Sequence, residues 1–212
     1  MTEIEDIHKA GQREIILTDA MSYFLQNGVR EVNETDLFKS IGISPNAFYS
    51  FFKNKEDLLE QAVRLNIERD RIAIEQLRAK AKNSVEELMM LLKRGVQEFQ
   101  KISPVYISDV MNYYPMVNRI GLQNLQEFTL NMYTEILNRG VRDGHFRRDI
   151  NIQVVARVII ENVFVFLNYR AFPPEQYSHG EVLRGIYLYY FRGLCSQKSM
   201  HMVDDYFASN SF

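Results

Sequence analysis

Side-chain oxygens recur along this chain just ahead of short apolar stretches with a period near 3.6, and this punctuation leaves room for little except α-helix. Ile16, Leu17, Ala20, Phe24 and Leu25 follow one helix face, which Asn27-Gly28 brings to a stop. Asn33 caps the next helix with Asp36 three residues on, and Gly42 ends it after about two turns. Ser44 caps a third, with Pro45 in the first helical position, where its missing N–H is not needed. Asn54 and Asp57 make a capping-box-like start for a long helix from Lys55 to about Lys80. Ser84 with Glu87 predicts a helix to Ile102. Ser103-Pro104 opens another, which Pro115 kinks or ends, and a long helix fits 118–142. An Asp-Gly turn lies in "RDGHFRRD" (142–149). Two strongly apolar helices follow, over 152–170 and 179–197, split by Pro173-Pro174. The tail beyond Met200 is expected to be loosely ordered, apart from what Tyr206 and Phe207 can dock. No stretch alternates as a strand between hairpin turns. The expected fold is all-α, with a small N-terminal domain over 1–54 and a larger helical domain over 55–212.

Composition narrows the chemistry. Among 212 residues, 46% hydrophobic, the single Cys195 excludes an internal disulfide framework. Apolar runs stay shorter than the roughly 18–20 residues of a membrane span. "MTEIEDIHKAGQ" lacks the pattern of a signal peptide, so a soluble cytoplasmic protein with no membrane partner is expected. His8, His145, His179 and His201 are scattered without metal-ligand spacing, and no Gly-rich phosphate loop or nucleophile elbow occurs. The expectation is therefore no enzyme, no catalytic residues, no metal and no cofactor. The net charge of −2 does not announce nucleic-acid binding. Locally the balance differs: Leu37–Lys55 holds Lys39, Lys53 and Lys55 and no acid, inside a stretch 1–64 with seven basic and eleven acidic residues.

Three short helices, the second and third separated by Gly42-Ile43-Ser44, make a helix-turn-helix. The helix from Pro45 to about Phe51 is then the recognition helix, and Asn46, Ala47 and Ser50 are small or polar enough to enter a major groove. Four rings crowd this stretch. Phe48 and Phe52 share a face and, with Leu37 and Ile41, can form the small core of the helix pair. Tyr49 lies on another face with a hydroxyl for a phosphate, whereas Phe51 fits neither group; all four rings as core filler is the plainer alternative. Lys55 opens the long helix, where its charge and the helix dipole both attract a phosphate.

The stretch "IILTDAMSYFLQNG…DLFKSIGISPNAFYSFFKNKEDLL" (15–59) resembles the DNA-binding domain of the TetR (tetracycline-repressor-like) family of transcriptional regulators. The likeness rests on Ile16, Leu17, Ala20, Phe24 and Gly28, on Gly42-Ile43-Ser44, and above all on Tyr49-x-x-Phe52-x-x-Lys55-x-x-Leu58. "GVRDGHFRRDIN" (140–151) is similar to the family's turn before its penultimate helix. The resemblance implies DNA contacts from Thr35, Ser44, Asn46, Ala47, Tyr49 and Lys55. This chain departs from the family at Phe38 and Ile41, where Ala is usual, so the crossing of the two helices must widen or repack. It departs again at Phe51, where a polar residue is common.

The resemblance also implies that residues 55–212 bind a small ligand and form a homodimer on a double-stranded DNA operator. Helix 154–170 carries Arg157, Glu161 and Asn168 on one narrow stripe and is apolar elsewhere, as in a helix buried on more than one side. The last helix presents apolar side chains around Gly185 and Gly193, residues that close helix crossing would keep. The expected dimer interface is Ile159, Phe166, Leu183, Tyr187, Tyr190, Phe191 and Leu194, with an unusually apolar monomer core as the alternative. An apolar or amphipathic ligand is expected against Tyr106, Met111, Tyr113, Tyr114, Phe128, Met132, Phe164 and Tyr169. Asp109 or Glu161 could meet a polar group of that ligand, or be solvated or salt-bridged. The rival to a ligand-released regulator is a helical sensor or interaction protein of the same fold that has lost specific DNA binding.

Overall fold

The computed structural model describes residues 2–166, 168, 170–173 and 175–209, and of 2–8, 164, 166 and 179 the backbone alone. Among the described residues no strand forms, and one isolated antiparallel bridge pairs Phe146 with Cys195. The helices are α1 (Thr2–Asn27), α2 (Glu34–Ser40), α3 (Pro45–Phe51), α4 (Lys55–Arg78), α5 (Ser84–Phe99) and α6 (Pro104–Tyr113). They continue as α7 (Pro115–Asn124), α8 (Leu130–Arg142), α9 (Ile152–Phe166), α10 (His179–Leu183), α11 (Tyr189–Leu194) and α12 (Met200–Ser209). Single π-helical turns, Leu125–Thr129 and Arg184–Leu188, join α7 to α8 and α10 to α11.

The expected caps form with one exception. Asn33, Ser44, Asn54 and Ser103 accept hydrogen bonds from the backbone N–H of Asp36, Ala47, Asp57 and Tyr106, respectively. Asn83, rather than Ser84, caps α5, taking the N–H groups of Val85 and Glu86. Its supposed partner Glu87 is buried and pairs instead with Arg78 (2.9 Å) and Arg139. Ser178 with Glu181 makes a capping box at α10 that the apolar pattern did not reveal. The tail is also more ordered than expected: α12 buries Val203 and Phe207.

The chain packs as two compact units, residues 1–73 with 98–124, and 74–97 with 125–212. In the first, Leu17, Ala20 and Phe24 of α1, Leu37 of α2, Phe48 of α3 and Leu58 and Leu59 of α4 share one apolar core, joined by Tyr106, Val117 and Ile120. Gly28 adopts φ +78°, the left-handed conformation that ends α1. In the second unit, Leu88, Met89, Ile136, Leu137, Ile159, Leu183, Tyr187 and Phe191 pack together with Phe146 and Val203.

Most of the side chains expected at a dimer interface lie in this second core. Ile159, Leu183, Tyr187, Phe191 and Leu194 are all buried within their own subunit, and Tyr190 is half-buried against the same core. Their apolar stripe has been spent on intrachain packing. The side chain of Phe166 lies outside the described residues. Gly185 and Gly193 mark no close crossing within the chain, because an added Cβ at each would meet nothing within 4 Å among the described residues. The exposed apolar groups of this region are Val154 and Val165 on α9 and Tyr189 on α11.

Candidate nucleic-acid interface

The Gly42 turn, at φ +65°, sets α3 against α2, and the ring cluster fixes their contact. Phe38 lies 4.7 Å from Phe48, and Phe48 lies 5.5 Å from Phe52, ring centroid to ring centroid. Large side chains at Phe38 and Ile41 are thus accommodated by repacking: Phe38 joins the aromatic core and Ile41 packs at its edge. Phe51, which fitted neither group in sequence, is half-buried against the same core, 6.1 Å from Phe52.

This packing leaves Thr35, Ser44, Asn46, Tyr49 and Ser50 exposed, with Ala47 half-buried between them. Ser44 is occupied as the cap of α3, and the Ser50 hydroxyl donates to the Ala47 carbonyl at 2.7 Å. The exposed Asn46 amide makes no hydrogen bond that engages it among the described residues, while Ser44 and Ser50 bond within the helix that carries it. Lys39 and Lys53 are exposed nearby.

Two expected phosphate ligands are differently engaged. Tyr49 is 53% exposed, but its hydroxyl donates to Glu34 at 2.7 Å, and that bond raises its pKa above the ordinary phenol value. A phosphate would have to displace the carboxylate, which the sequence reading did not foresee. Lys55 is turned inward. Its ammonium donates to the carbonyls of Val29 (2.8 Å) and Val32 (2.6 Å), with Arg30 O at 3.4 Å. Partial burial lowers its pKa, against the opposing pull of Glu34, Asp109 and Glu31.

Asp109 of α6 closes the other side of that turn. Its Oδ2 accepts from Val29 N at 2.7 Å and Arg30 N at 2.9 Å, so the carboxylate, open in sequence to a ligand, to water or to a salt bridge, is buried and bonded to backbone N–H groups. Arg30 also donates to the Tyr113 hydroxyl at 2.5 Å and lies over its ring.

The expected ligand residues are divided between the two units. Tyr106, Met111, Tyr113 and Tyr114 belong to the first unit, and Phe128 and Met132 to the second. Tyr106 is buried in the first core and Met132 in the second, whereas Met111 and Tyr113 are exposed. The side chain of Phe164, and all of Tyr169, lie outside the described residues. Within the second core the Tyr187 hydroxyl is buried with no hydrogen-bond partner among the described residues, and burial raises its pKa. Among the described residues no helix is long and apolar enough to cross a membrane, and no group of His, Cys, Asp or Glu could hold a metal ion.

Residues 16–62 match the family described as bacterial regulatory proteins, tetR family. The chain is 26% identical over 161 residues to the HTH-type transcriptional repressor KstR2 of Mycolicibacterium smegmatis, covering 74% of this chain and 78% of that protein. The fold is similar to that of a TetR-family transcriptional regulator from Agrobacterium tumefaciens, with a TM-score of 0.71 at 15% identity over 89% of this chain and all of that one. It is also similar to CprB of Streptomyces coelicolor, solved in complex with its biological operator sequence, with a TM-score of 0.69 at 20% identity over 95% and 96% of the two chains.

Proposed function

We propose that the chain, whose residues 16–62 match the tetR family of bacterial regulatory proteins, is a regulator of that kind, repressing transcription as a cytoplasmic homodimer bound to a pseudo-palindromic operator, from which a small apolar or amphipathic molecule releases it. The observation that carries this reading is the exposed edge of α3. A capped helix carries the exposed Asn46, Tyr49 and Ser50, with Thr35 and Lys39 exposed on α2 and Lys53 exposed just after α3 to neutralise phosphates. By role rather than by packing, residues 1–54 form the DNA-binding part and 55–212 the ligand-binding and dimerising part.

With the buried faces of α9 and α11 spent on the core, dimerisation falls to their outer faces. Val154, Arg157, Glu161 and Val165 form an exposed stripe on α9, and Gly185, Tyr189 and Gly193 are exposed beside α10 and α11. Tyr189→Arg should then shift the protein from dimer to monomer in light scattering, whereas an unchanged dimer would move the interface elsewhere. Ligand binding falls to the second unit around Phe128 and Met132, where the unpartnered Tyr187 hydroxyl is available to a polar group of the ligand. The ligand can act only through its differential affinity for the free and DNA-bound arrangements.

A gel-shift titration with DNA from upstream of the protein's own gene, at two salt concentrations, tests the reading. Competitor-resistant binding that weakens with salt is expected. If no specific complex forms even after refolding free of ligand, the sensor that has lost its operator takes its place.

A further inference from the structure

The turn between α1 and α2 is held from both sides by opposite charges, and neither charge comes from the turn. Asp109 accepts two N–H groups on one side, at Val29 and Arg30. Lys55 donates to carbonyls on the other, at Val29 and Val32. Gly28 makes room for this arrangement: a Cβ there would stand 2.8 Å from Asp109 Oδ2 and 2.6 Å from Val105 Cγ1. A further backbone bond, Ser103 N to Leu25 O at 2.7 Å, ties the start of α6 to the end of α1. The six residues that connect α1 to α2, 28–33, are therefore fixed to α4 by an ammonium and to α6 by a carboxylate.

We propose that Asp109 and Lys55 are positioning residues for operator binding, and that Lys55 acts through the turn rather than by touching phosphate. The inference rests on the regulator reading above. Its physical basis is the length of lever and the kind of bond. The turn leads directly into α2, and the α2–α3 pair moves with it because Phe38, Phe48 and Phe52 lock the two helices together. Hydrogen bonds to charged groups are the stronger kind, and each charge here holds two backbone groups whose directions fix the turn. A small misplacement of a recognition helix loses several base and phosphate contacts together. The two charges also neutralise one another across the turn, which lets a carboxylate stay buried beside a DNA-binding surface without a direct ion pair.

Lys55→Arg separates the two roles of the lysine. A phosphate contact accepts a guanidinium readily. A point donor lodged between the carbonyls of Val29 and Val32 cannot be replaced by a planar fork. The full-length protein is titrated with its operator as wild type, Lys55→Arg, Lys55→Met, Asp109→Asn and Asp109→Ala, at several salt concentrations. The expected result is operator binding weakened about tenfold or more by Lys55→Arg, Lys55→Met and Asp109→Ala, less by Asp109→Asn. The slope of log affinity against log salt should stay unchanged, whereas loss of a true phosphate contact would reduce it by about 0.9. Amide hydrogen exchange without DNA should show Val29 and Arg30 deprotected in Asp109→Ala, while residues 125–209 keep wild-type protection. Wild-type affinity in Lys55→Arg, or a slope reduced by about one contact in Lys55→Met, would overturn the role given to Lys55. Unchanged exchange at Val29 and Arg30, or unchanged operator affinity in Asp109→Ala, would overturn the role given to Asp109. If the wild type binds no operator while the exchange effect is present, the regulator reading fails and this proposal with it.

Discussion

The turn at residues 28–32 and the core around Tyr187 handle buried polar atoms in opposite ways. At the turn, the buried Asp109 carboxylate satisfies two backbone donors, and Lys55 satisfies two carbonyls. In the second unit, the Tyr187 hydroxyl is buried with no hydrogen-bond partner among the described residues, among side chains that close by apolar contact. Directional bonds specify one geometry, while apolar packing tolerates rearrangement so long as volume is kept. The first arrangement suits a part that must present one fixed helix to DNA. The second suits a part that, on the proposed reading, rearranges around a ligand.

Substitutions can break or sharpen this contrast. The largest effect on stability is expected at Gly140→Ala, whose Cβ would lie 2.2 Å from Phe146 Cδ2 and 3.1 Å from Ser84 Cβ. Phe146 is itself buried, so overpacking should cost about 2–3 kcal/mol in urea or thermal unfolding. A loss under about 0.5 kcal/mol would mean that even this tight crossing yields freely. Asp109→Ala comes next, at roughly 1.5–3 kcal/mol, because it removes a charged acceptor and leaves the Val29 and Arg30 N–H groups unpaired. Tyr187→Phe should move the other way. Deleting a hydroxyl that is buried and unbonded should raise stability by about 1 kcal/mol and raise Tm. A destabilised Tyr187→Phe would show that the hydroxyl has a partner, and the contrast between the two regions would fail.

The smallest effect is a pH-dependent one. The Lys53 N–H, and then the Gln61 side chain, hold the Asp57 carboxyl below its ordinary pKa. Its contribution is therefore complete above the unfolded value of about 3.9 and is lost as pH falls through the lower folded value. Asp57→Asn should lower Tm slightly near neutral pH and leave it unchanged in strong acid, which thermal melts across pH will read.

The sequence carried the local signals well. Asn33, Ser44, Asn54 and Ser103 cap where a side-chain oxygen next to a helix start must cap, and Phe48 and Phe52 occupy the core that their spacing implied. The failures are long-range. Lys55 at a helix start reads as an anion site until carbonyls 23 and 26 residues earlier are seen to hold it. Asp109 lies 79 and 80 residues from its donors, beyond any spacing rule. The stripe of Leu183, Tyr187, Phe191 and Leu194 is apolar whether it meets its own core or a partner, and periodicity cannot distinguish the two. The π turns at Leu125–Thr129 and Arg184–Leu188 leave no mark in composition, because one extra residue per turn only rotates the pattern.

Hydroxyl-radical footprinting of the full-length protein on DNA from upstream of its own gene tests the central claim most directly, since it reads where recognition helices lie. Two protected half-sites related by symmetry and centred about one helical turn apart, ~34 Å, are expected, with protection lost in Asn46→Ala. Uniform weak protection along the DNA, or none at low salt, would contradict the assignment of this surface to operator recognition.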